Sequence, residues 1–255
     1  MTDFLLLDSP GHGPWFWDGV KGAIENKLRN QSDFIHLNYQ PGKILAPENL
    51  SNVNSKYTTL NEYAMKTIDQ INQAGLTNPI IVSHSFSGIL TLELCNILGK
   101  DIKELIFIGS IIPDMFRTSM EMIPIPLRLL LITSSILTGN ISFDTIKMHR
   151  EFVLKILCSD IPYPEASMAI GRLNPLNAKL LDMLANPESF EKMPDSKYVV
   201  LNKSRLLPSN IQSNMANYIK ASTIKVPYGQ EAPFFYPEII AEILLQQTQK
   251  PIRNY

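Results

Sequence analysis

Ser85 has the surroundings that best fit nucleophilic chemistry in this chain. It lies in the segment 80–88, IIVSHSFSG, which passes from an apolar run through small residues into a stretch of helical period. A serine nucleophile on a sharp strand-to-helix turn is usually flanked by glycines, as G-x-S-x-G, because larger side chains do not fit the turn. Ser83 and Ser87 stand at both flanking positions and are still small. The segment therefore predicts a nucleophile elbow with a positive φ at Ser85, and His84 is expected to point away from that residue.

No metal or cofactor site is predicted. The chain has four histidines: His12, His36, His84 and His149. None of them has a Cys or Asp at the spacing expected of metal ligands. The cysteines, Cys95 and Cys158, both lie in apolar segments. They are predicted to be buried reduced thiols, and neither a disulfide nor a metal site is expected.

The composition is that of one ordinary globular domain of 255 residues, with 45% hydrophobic and 18% charged residues. The 23 Lys and Arg residues balance 24 Asp and Glu residues, which argues against nucleic acid as a partner. Residues 1–8 have no basic region and an apolar run of only four residues, so a first strand and a cytoplasmic location are expected. The apolar segment 122–137 contains Pro124, Pro126 and Arg128 and is shorter than the ~20 residues of a membrane span. It is predicted to be a buried or substrate-facing helix, with no membrane partner.

Short apolar runs alternate with segments of helical period along most of the chain. Strands are predicted at 4–7, 34–37, 79–83, 105–108, 198–201 and 221–226, and helices at 60–74 and 88–98. This order is typical of an α/β fold, with a mostly parallel sheet and helices on both faces. Residues 113–193 contain no clear strand and several apolar helical segments, which predicts a helical lid inserted within the single domain 1–255.

The loop after the first strand carries a resemblance to a known family. Residues 8–17, DSPGHGPWFW, have with no gap the spacing of the pattern H-[GT]-x-x-H-G-x-W-x-W. The pattern belongs to the lid-bearing branch of the α/β-hydrolase superfamily that includes plant methylesterases and hydroxynitrile lyases. His12, Gly13, Trp15 and Trp17 keep the family's residues, whereas Asp8 and Ser9 replace its leading His-Gly or His-Thr.

Similar segments continue along nearly the whole chain. They resemble the family's helix start before the elbow, its Pro-Asp turn, its lid signature, its acid-bearing strand and its histidine loop, and lie at 59–63, 105–114, 160–173, 198–212 and 229–238. The resemblance implies the α/β-hydrolase fold. It does not by itself imply an activity, since one fold hosts many functions.

The same resemblance implies a degenerate catalytic triad. The family's acid lies before Arg and Pro in a D-R-x-x-P setting, and that position is Ser204 here. The family's histidine maps to Gln230 without gaps, or to Glu231 if one gap is allowed. A serine hydroxyl is a poor nucleophile without a base and a group that orients the base. An amide cannot take up that proton near neutral pH.

Three functions are compatible with these losses. The first is lyase, cyclase or proton-transfer chemistry on a small apolar carbonyl or acyl compound. In it, Ser85, Ser9 and Gln230 form hydrogen bonds and the acid or base is one of three residues: Asp8, His12 or Glu231. The second is a serine esterase with a relocated base, either Glu231 or His149. The third is a catalytically silent protein that binds a ligand.

All three functions need an apolar pocket. Its predicted lining consists of the aromatic residues Trp15, Trp17, Phe86 and Phe116 and of the methionines Met115, Met120 and Met122. Backbone N–H groups after the first strand and after Ser85 are expected to form an oxyanion hole. The oligomeric state stays open, and a homodimer is compatible with the sequence.

Overall fold

A six-stranded sheet forms the centre of the molecule, and every neighbouring pair of strands is parallel. The computed structural model describes residues 2–9, 11–30, 41–47, 59–138, 150–174 and 181–247. The strand order is β2-β1-β3-β4-β5-β6. The strands are β1 Thr2–Leu7, β2 Pro41–Leu45, β3 Ile80–His84, β4 Glu104–Ile108, β5 Ser196–Leu201 and β6 Ser222–Val226.

Ten α-helices are found within the described residues. They are α1 Asp18–Asn30, α2 Leu60–Ala74, α3 Gly88–Leu98, α4 Ile125–Thr138, α5 Arg150–Leu157, α6 Tyr163–Ile170, α7 Pro187–Glu191, α8 Ser209–Tyr218, α9 Ala232–Phe235 and α10 Pro237–Gln247. The predicted helices at 60–74 and 88–98 are confirmed as α2 and α3. A capping box between Thr59 and Glu62 begins α2, and Gly75 ends it with φ 62°.

The central strands are apolar because helices cover both faces of the sheet. Along β1 the side chains alternate, so that Phe4 and Leu6 pack on the side of α1 and α10. Leu5 and Leu7 face the opposite core, which contains buried residues of α2 and α3. Two apolar cores therefore hold the sheet, and its carboxyl edge carries the loops that follow the strands.

Five of the six predicted strands are confirmed within two residues. The sixth, at 34–37, lies outside the described residues. The strand β2 was not predicted, since Pro41-Gly42 is typical of a turn. Among the described strands it lies at the edge of the sheet and pairs with β1, and a proline at the first position of such an edge strand is tolerated. A Cβ at Gly42 would lie 2.1 Å from the carbonyl oxygen of Thr2, so only glycine allows this close pairing.

The segment between β4 and β5 contains α4, α5, α6 and α7 and, within its described residues, no strand. Buried residues of α5 and α6 form a small apolar cluster against Trp15 and Phe235. The segment 122–137, predicted as a buried or substrate-facing helix, contains most of α4; Leu127 is buried there, whereas Ile125 is 61% and Leu129 is 58% exposed. None of the helices in the described part of the chain has the length and apolar character needed to cross a membrane.

Candidate active site

Ser85 follows directly after β3 and precedes α3, with a single 3₁₀ turn at Ser85–Ser87. Its φ is 53°, which confirms the predicted positive value and matches the strained turn of an elbow. The carbonyl oxygen of Ser85 accepts hydrogen bonds from Ile111 N at 2.7 Å and from Ser110 Oγ at 2.9 Å. The loop after β4 therefore holds the turn in place.

Serine hydroxyl groups form a set of buried hydrogen bonds around this turn. Ser83 Oγ lies 2.8 Å from Ser110 Oγ and 3.2 Å from Ser87 Oγ, and all three residues are buried. His84 N donates to Ser87 Oγ at 2.9 Å, and that hydroxyl lies 3.1 Å from the carbonyl oxygen of Leu7. Ser83 and Ser87, on either side of Ser85 in the sequence, thus connect the ends of β1, β3 and β4.

Gln230 and Ser204 lie in contact at the same edge of the sheet. Ser204 Oγ donates a hydrogen bond to Gln230 Oε1 at 2.7 Å, and Ser204 Oγ also accepts one from Leu207 N at 3.1 Å. The side-chain Nε2 of Gln230 donates a hydrogen bond to the carbonyl oxygen of Gly109 at 3.0 Å. Both ends of the Gln230 side chain are therefore held by partners, and neither Gln230 nor Ser204 titrates near neutral pH.

Glu231 makes a different contact from its neighbour. Its Oε2 lies 2.9 Å from His12 Nε2, and both side chains are buried. Burial favours the neutral acid, but the charge and the hydrogen bond of His12 oppose it, and the pKa of Glu231 is lowered from 4.5. An ionised carboxylate only accepts hydrogen bonds, so His12 Nε2 is the donor. The other oxygen, Oε1, is buried, and no donor reaches it within the described residues.

His84 is buried behind the elbow. Its Nε2 lies 2.8 Å from the main-chain carbonyl oxygen of Gln230, so this nitrogen carries the proton. Burial lowers the pKa of His84 from 6.5 to about 4, and the ring is neutral at neutral pH. Phe16 packs against both histidine rings, with ring centroids 4.7 Å from His84 and 4.6 Å from His12.

Neither of these histidines is hydrogen-bonded to the Ser85 hydroxyl in the part of the chain that the structure describes, as predicted. Both Nε2 atoms are directed instead at residues 230 and 231. His36 and His149, the latter a candidate relocated base, lie outside the described residues.

Asp8 and Ser9 lie buried at the carboxyl end of β1. Leu7 pairs with Ser83, so the two strands end side by side and Asp8 follows at the same edge as the elbow. Pro10 comes next and has no N–H to offer to an oxyanion. The predicted oxyanion hole therefore has one backbone donor fewer in this loop.

The four aromatic candidates have different surroundings. Phe86 is buried at the elbow, and Trp15 is half-buried between the body and the cluster of α5 and α6. Trp17 is fully buried in the core beside α1 and α10, and Phe116 is 83% exposed. Two of the methionines, Met120 and Met122, are buried, whereas Met115 is 40% exposed. Trp17 is therefore a core residue and Phe116 a surface residue, and Trp15 and Phe86 belong to different apolar clusters.

Sequence reasoning did not single out three residues that hold the site. Gly109 and Ser110 follow β4, and Asp160 Oδ2 accepts a hydrogen bond from Gly229 N at 2.8 Å, just before Gln230. The signal for the first two was their position after an apolar strand at the edge that carries Ser85. Asp160 was noted only as part of a lid pattern. Cys95 and Cys158 are buried and form no disulfide, and their burial confirms the expectation.

Comparison with known proteins gives a fold and one distant relative. No family model matches the chain. Norfluorocurarine synthase 2 of Strychnos nux-vomica is 29% identical over 112 residues, which are 44% of this chain and only 39% of that protein's length.

Several solved structures have a similar fold. One is an extracellular α/β-hydrolase from a Paenibacillus species, described as sharing structural and functional homology with tobacco salicylic acid binding protein 2. Its TM-score is 0.78 at 16% sequence identity, and the match covers 96% of this chain and 98% of that one. Polyneuridine aldehyde esterase has a TM-score of 0.67 at 12% identity, covering 98% and 100%. A variant of tomato methylketone synthase I bound to β-ketoheptanoate has a TM-score of 0.66 at 12% identity, covering 97% of each chain.

Proposed function

We propose that this chain, which has the α/β-hydrolase fold, is an enzyme that does not hydrolyse esters through Ser85. Its chemistry is that of a lyase, a cyclase or a proton-transfer catalyst, and its substrate is a small apolar carbonyl or acyl compound. The observation that carries the proposal is the hydrogen bond of 2.7 Å from Ser204 to Gln230. These residues stand where the family resemblance expects the acid and the histidine, and their contact supports the alignment without a gap.

The pair cannot activate a serine. Gln230 accepts no proton near neutral pH, and Ser204 offers no negative charge to stabilise a cation. In serine hydrolases that use a triad, removal of its members lowers the rate of hydrolysis by a factor on the order of 10⁴ to 10⁶. The loop after β1 adds to this loss, because Pro10 has no N–H and Asp8 introduces a carboxyl group close to the expected oxyanion hole.

Other chemistry can use the groups that remain. The hydroxyls of Ser85 and Ser9 and the amide of Gln230 are suited to bind a carbonyl oxygen, and the titratable candidates are Asp8, His12 and Glu231. The lid 113–193 and the aromatic residues Trp15 and Phe86 would enclose the apolar part of the substrate. The distant relative is named a synthase, and one structure of the same fold holds a β-keto acid, which supports a carbonyl or acyl substrate.

The contact between Glu231 and His12 weighs against a serine esterase with a relocated base. The carboxylate of Glu231 is bonded to His12, and the described structure gives it no contact with the Ser85 hydroxyl. A base that is to activate the serine must lie within hydrogen-bond reach of it. A catalytically silent binding protein would keep the same pocket, and only measurement of turnover separates it from the enzyme.

Labelling with a fluorophosphonate probe tests the proposal directly, because the probe reports an activated serine. We expect no labelling of the parent protein above that of Ser85→Ala within an hour, and very slow turnover of p-nitrophenyl acetate. Stoichiometric labelling within minutes would show that Ser85 is activated and would overturn the proposal. Native mass spectrometry of the purified protein then identifies a retained ligand, and conversion of that ligand on incubation distinguishes an enzyme from a binding protein.

A further inference from the structure

Glu231 is a buried titratable group in which, among the described residues, only one carboxylate oxygen has a hydrogen-bond partner. It is 3% exposed, and the ion pair with His12 occupies only Oε2. Oε1 is buried without a donor among the described residues. A carboxylate in an apolar environment is strongly unfavourable unless its oxygens are paired, so an unpaired oxygen needs an explanation.

Packing alone does not explain the pair. Replacement of a buried ion pair by apolar residues of similar volume is often neutral or stabilising, so such a pair is weak evidence for a role in stability. Buried groups with shifted pKa values are instead concentrated at functional sites. Glu231 also follows directly after Gln230, which contacts Ser204 at the carboxyl edge of the sheet. The carboxylate therefore lies beside the site that lacks a histidine.

We propose that Glu231 is the general base of this site and that His12 is the positioning residue that fixes its carboxylate through Oε2. This inference rests on the proposed function, since it supplies the proton acceptor that Gln230 cannot be. It also specifies the substrate as a carbonyl compound with an acidic C–H bond next to the carbonyl group. A β-dicarbonyl compound is the chemical class that fits, because a carboxylate is a weak base and needs an acidic carbon.

The proposed proton transfer needs no co-reactant, because the proton and the electron pair stay within the substrate and Glu231. Oε1 of Glu231 takes the proton from the carbon, and the electron pair of that C–H bond forms a C=C bond. The π electrons of the carbonyl group move to its oxygen, giving an enolate that accepts a hydrogen bond from the Ser85 hydroxyl. Return of the proton from Glu231 to another atom of the enolate gives an isomer, and its return to the same carbon regenerates the substrate.

Three titratable groups on different elements interact with Glu231. His12 comes from the loop after β1, His84 from β3 and Cys158 from the end of α5. His84 is neutral because burial lowers its pKa to about 4, and Cys158 is neutral because burial raises its pKa. His12 is thus the partner whose contact with the carboxylate decides its basicity.

A proton-transfer probe tests the assignment without knowledge of the natural substrate. Base-catalysed opening of 5-nitrobenzisoxazole removes one carbon-bound proton, breaks the N–O bond and releases a coloured phenolate. We expect the parent protein to accelerate it over free acetate at equal concentration and Glu231→Gln to lose at least about tenfold in rate. The amide keeps the shape of the side chain and an acceptor for His12, so the variant should fold. Glu238→Gln, on the exposed first turn of α10, is the matched control and should keep the parental rate.

The pH profile separates Glu231 from a histidine base. With Glu231 as base the rate should be flat between pH 5.5 and 9, because its pKa is lowered from 4.5. A fall in rate around the ordinary histidine pKa of ~6.5 would assign the proton to His12 and overturn the inference. His12→Gln keeps a donor but removes the imidazole that lowers the pKa of Glu231, so we expect the inflection of the rate to move to higher pH in that variant, whereas with His12 as the base the variant would lose the inflection.

The two proposals fail in different ways. If Glu231→Gln keeps the parental rate, or if neither protein exceeds acetate, Glu231 is not the base. The absence of fluorophosphonate labelling would still support the non-hydrolytic function in that case. Rapid labelling of Ser85 would overturn the proposed function regardless of the result with Glu231.

Discussion

Ser204 donates a hydrogen bond of 2.7 Å to Gln230 across 26 residues of sequence, and both side chains are buried. An acid and a histidine at these positions would form the orienting contact of a catalytic triad. The contact between Ser204 and Gln230 carries no charge, and neither side chain takes up or releases a proton near neutral pH.

Introducing a histidine and an acid at these two positions tests how far the rest of the site suits ester hydrolysis. The double variant Gln230→His with Ser204→Asp should hydrolyse p-nitrophenyl acetate at least about tenfold faster than the parent. Each single variant should gain much less, since a histidine without its acid is held poorly and an acid without a histidine has nothing to orient. A folded double variant with no gain would indicate that Asp8 and Pro10 have removed the oxyanion hole as well.

His84 should make the protein less stable in acid. Its pKa is lowered from 6.5 to about 4 in the folded state, so the unfolded state takes up the proton first as the pH falls through 6.5. The free energy of unfolding should therefore fall by about 2 kcal/mol between pH 7 and pH 5 from this group, and by about 3 kcal/mol in total once the pH is below about 4.

Urea unfolding at these pH values measures the effect. His84→Gln keeps a donor for the carbonyl oxygen of Gln230 and cannot be protonated, so its unfolding free energy should depend less on pH than that of the parent. Equal slopes for the two proteins would show that His84 is not the group responsible.

Gly88 should not tolerate a side chain. A Cβ there would lie 2.0 Å from the carbonyl oxygen of Ile111, in the loop that also holds Ser85. Gly88→Ala should lower the free energy of unfolding by about 1–3 kcal/mol, because α3 or that loop must move. Gly22→Ala in α1 is the matched control, since nothing lies within 4 Å of the added carbon. It should raise stability by about 0.5–1 kcal/mol, and a loss of the same size in both variants would exclude the clash as the cause.

Asp160 should hold the loop that carries Gln230 and Glu231. Its Oδ2 accepts a hydrogen bond from Gly229 N at 2.8 Å, and Asp160→Ala removes that acceptor. We expect a loss of about 1–2 kcal/mol in unfolding free energy and faster amide exchange at Gly229 and Gln230. Unchanged exchange rates at these two amides would show that other contacts position the loop.

Local patterns in the sequence were enough to predict most of the strands of the sheet and two of its helices. The apolar runs predicted five described strands, and the helical periods predicted α2 and α3, because side-chain spacing reports which face of an element is buried. Small residues around Ser85 predicted its positive φ for a similar reason, since the turn excludes bulk wherever it occurs in the fold. The edge strand β2 was missed, as its Pro-Gly start indicates a turn until the neighbouring strand is known.

The contacts of the site were decided by tertiary structure. His12 and Glu231 are 219 residues apart, and no spacing rule pairs them. Trp17 and Phe116 were both assigned to a pocket, yet one is fully buried in the core and the other is 83% exposed. The residue type limits the chemistry of a side chain. Its burial, its charge state and the distance to its hydrogen-bond partner depend on which segments of the chain meet in the fold. The sequence alone therefore determined that Gln230 cannot be a base, and only the folded chain placed Glu231 and His12 in contact beside it.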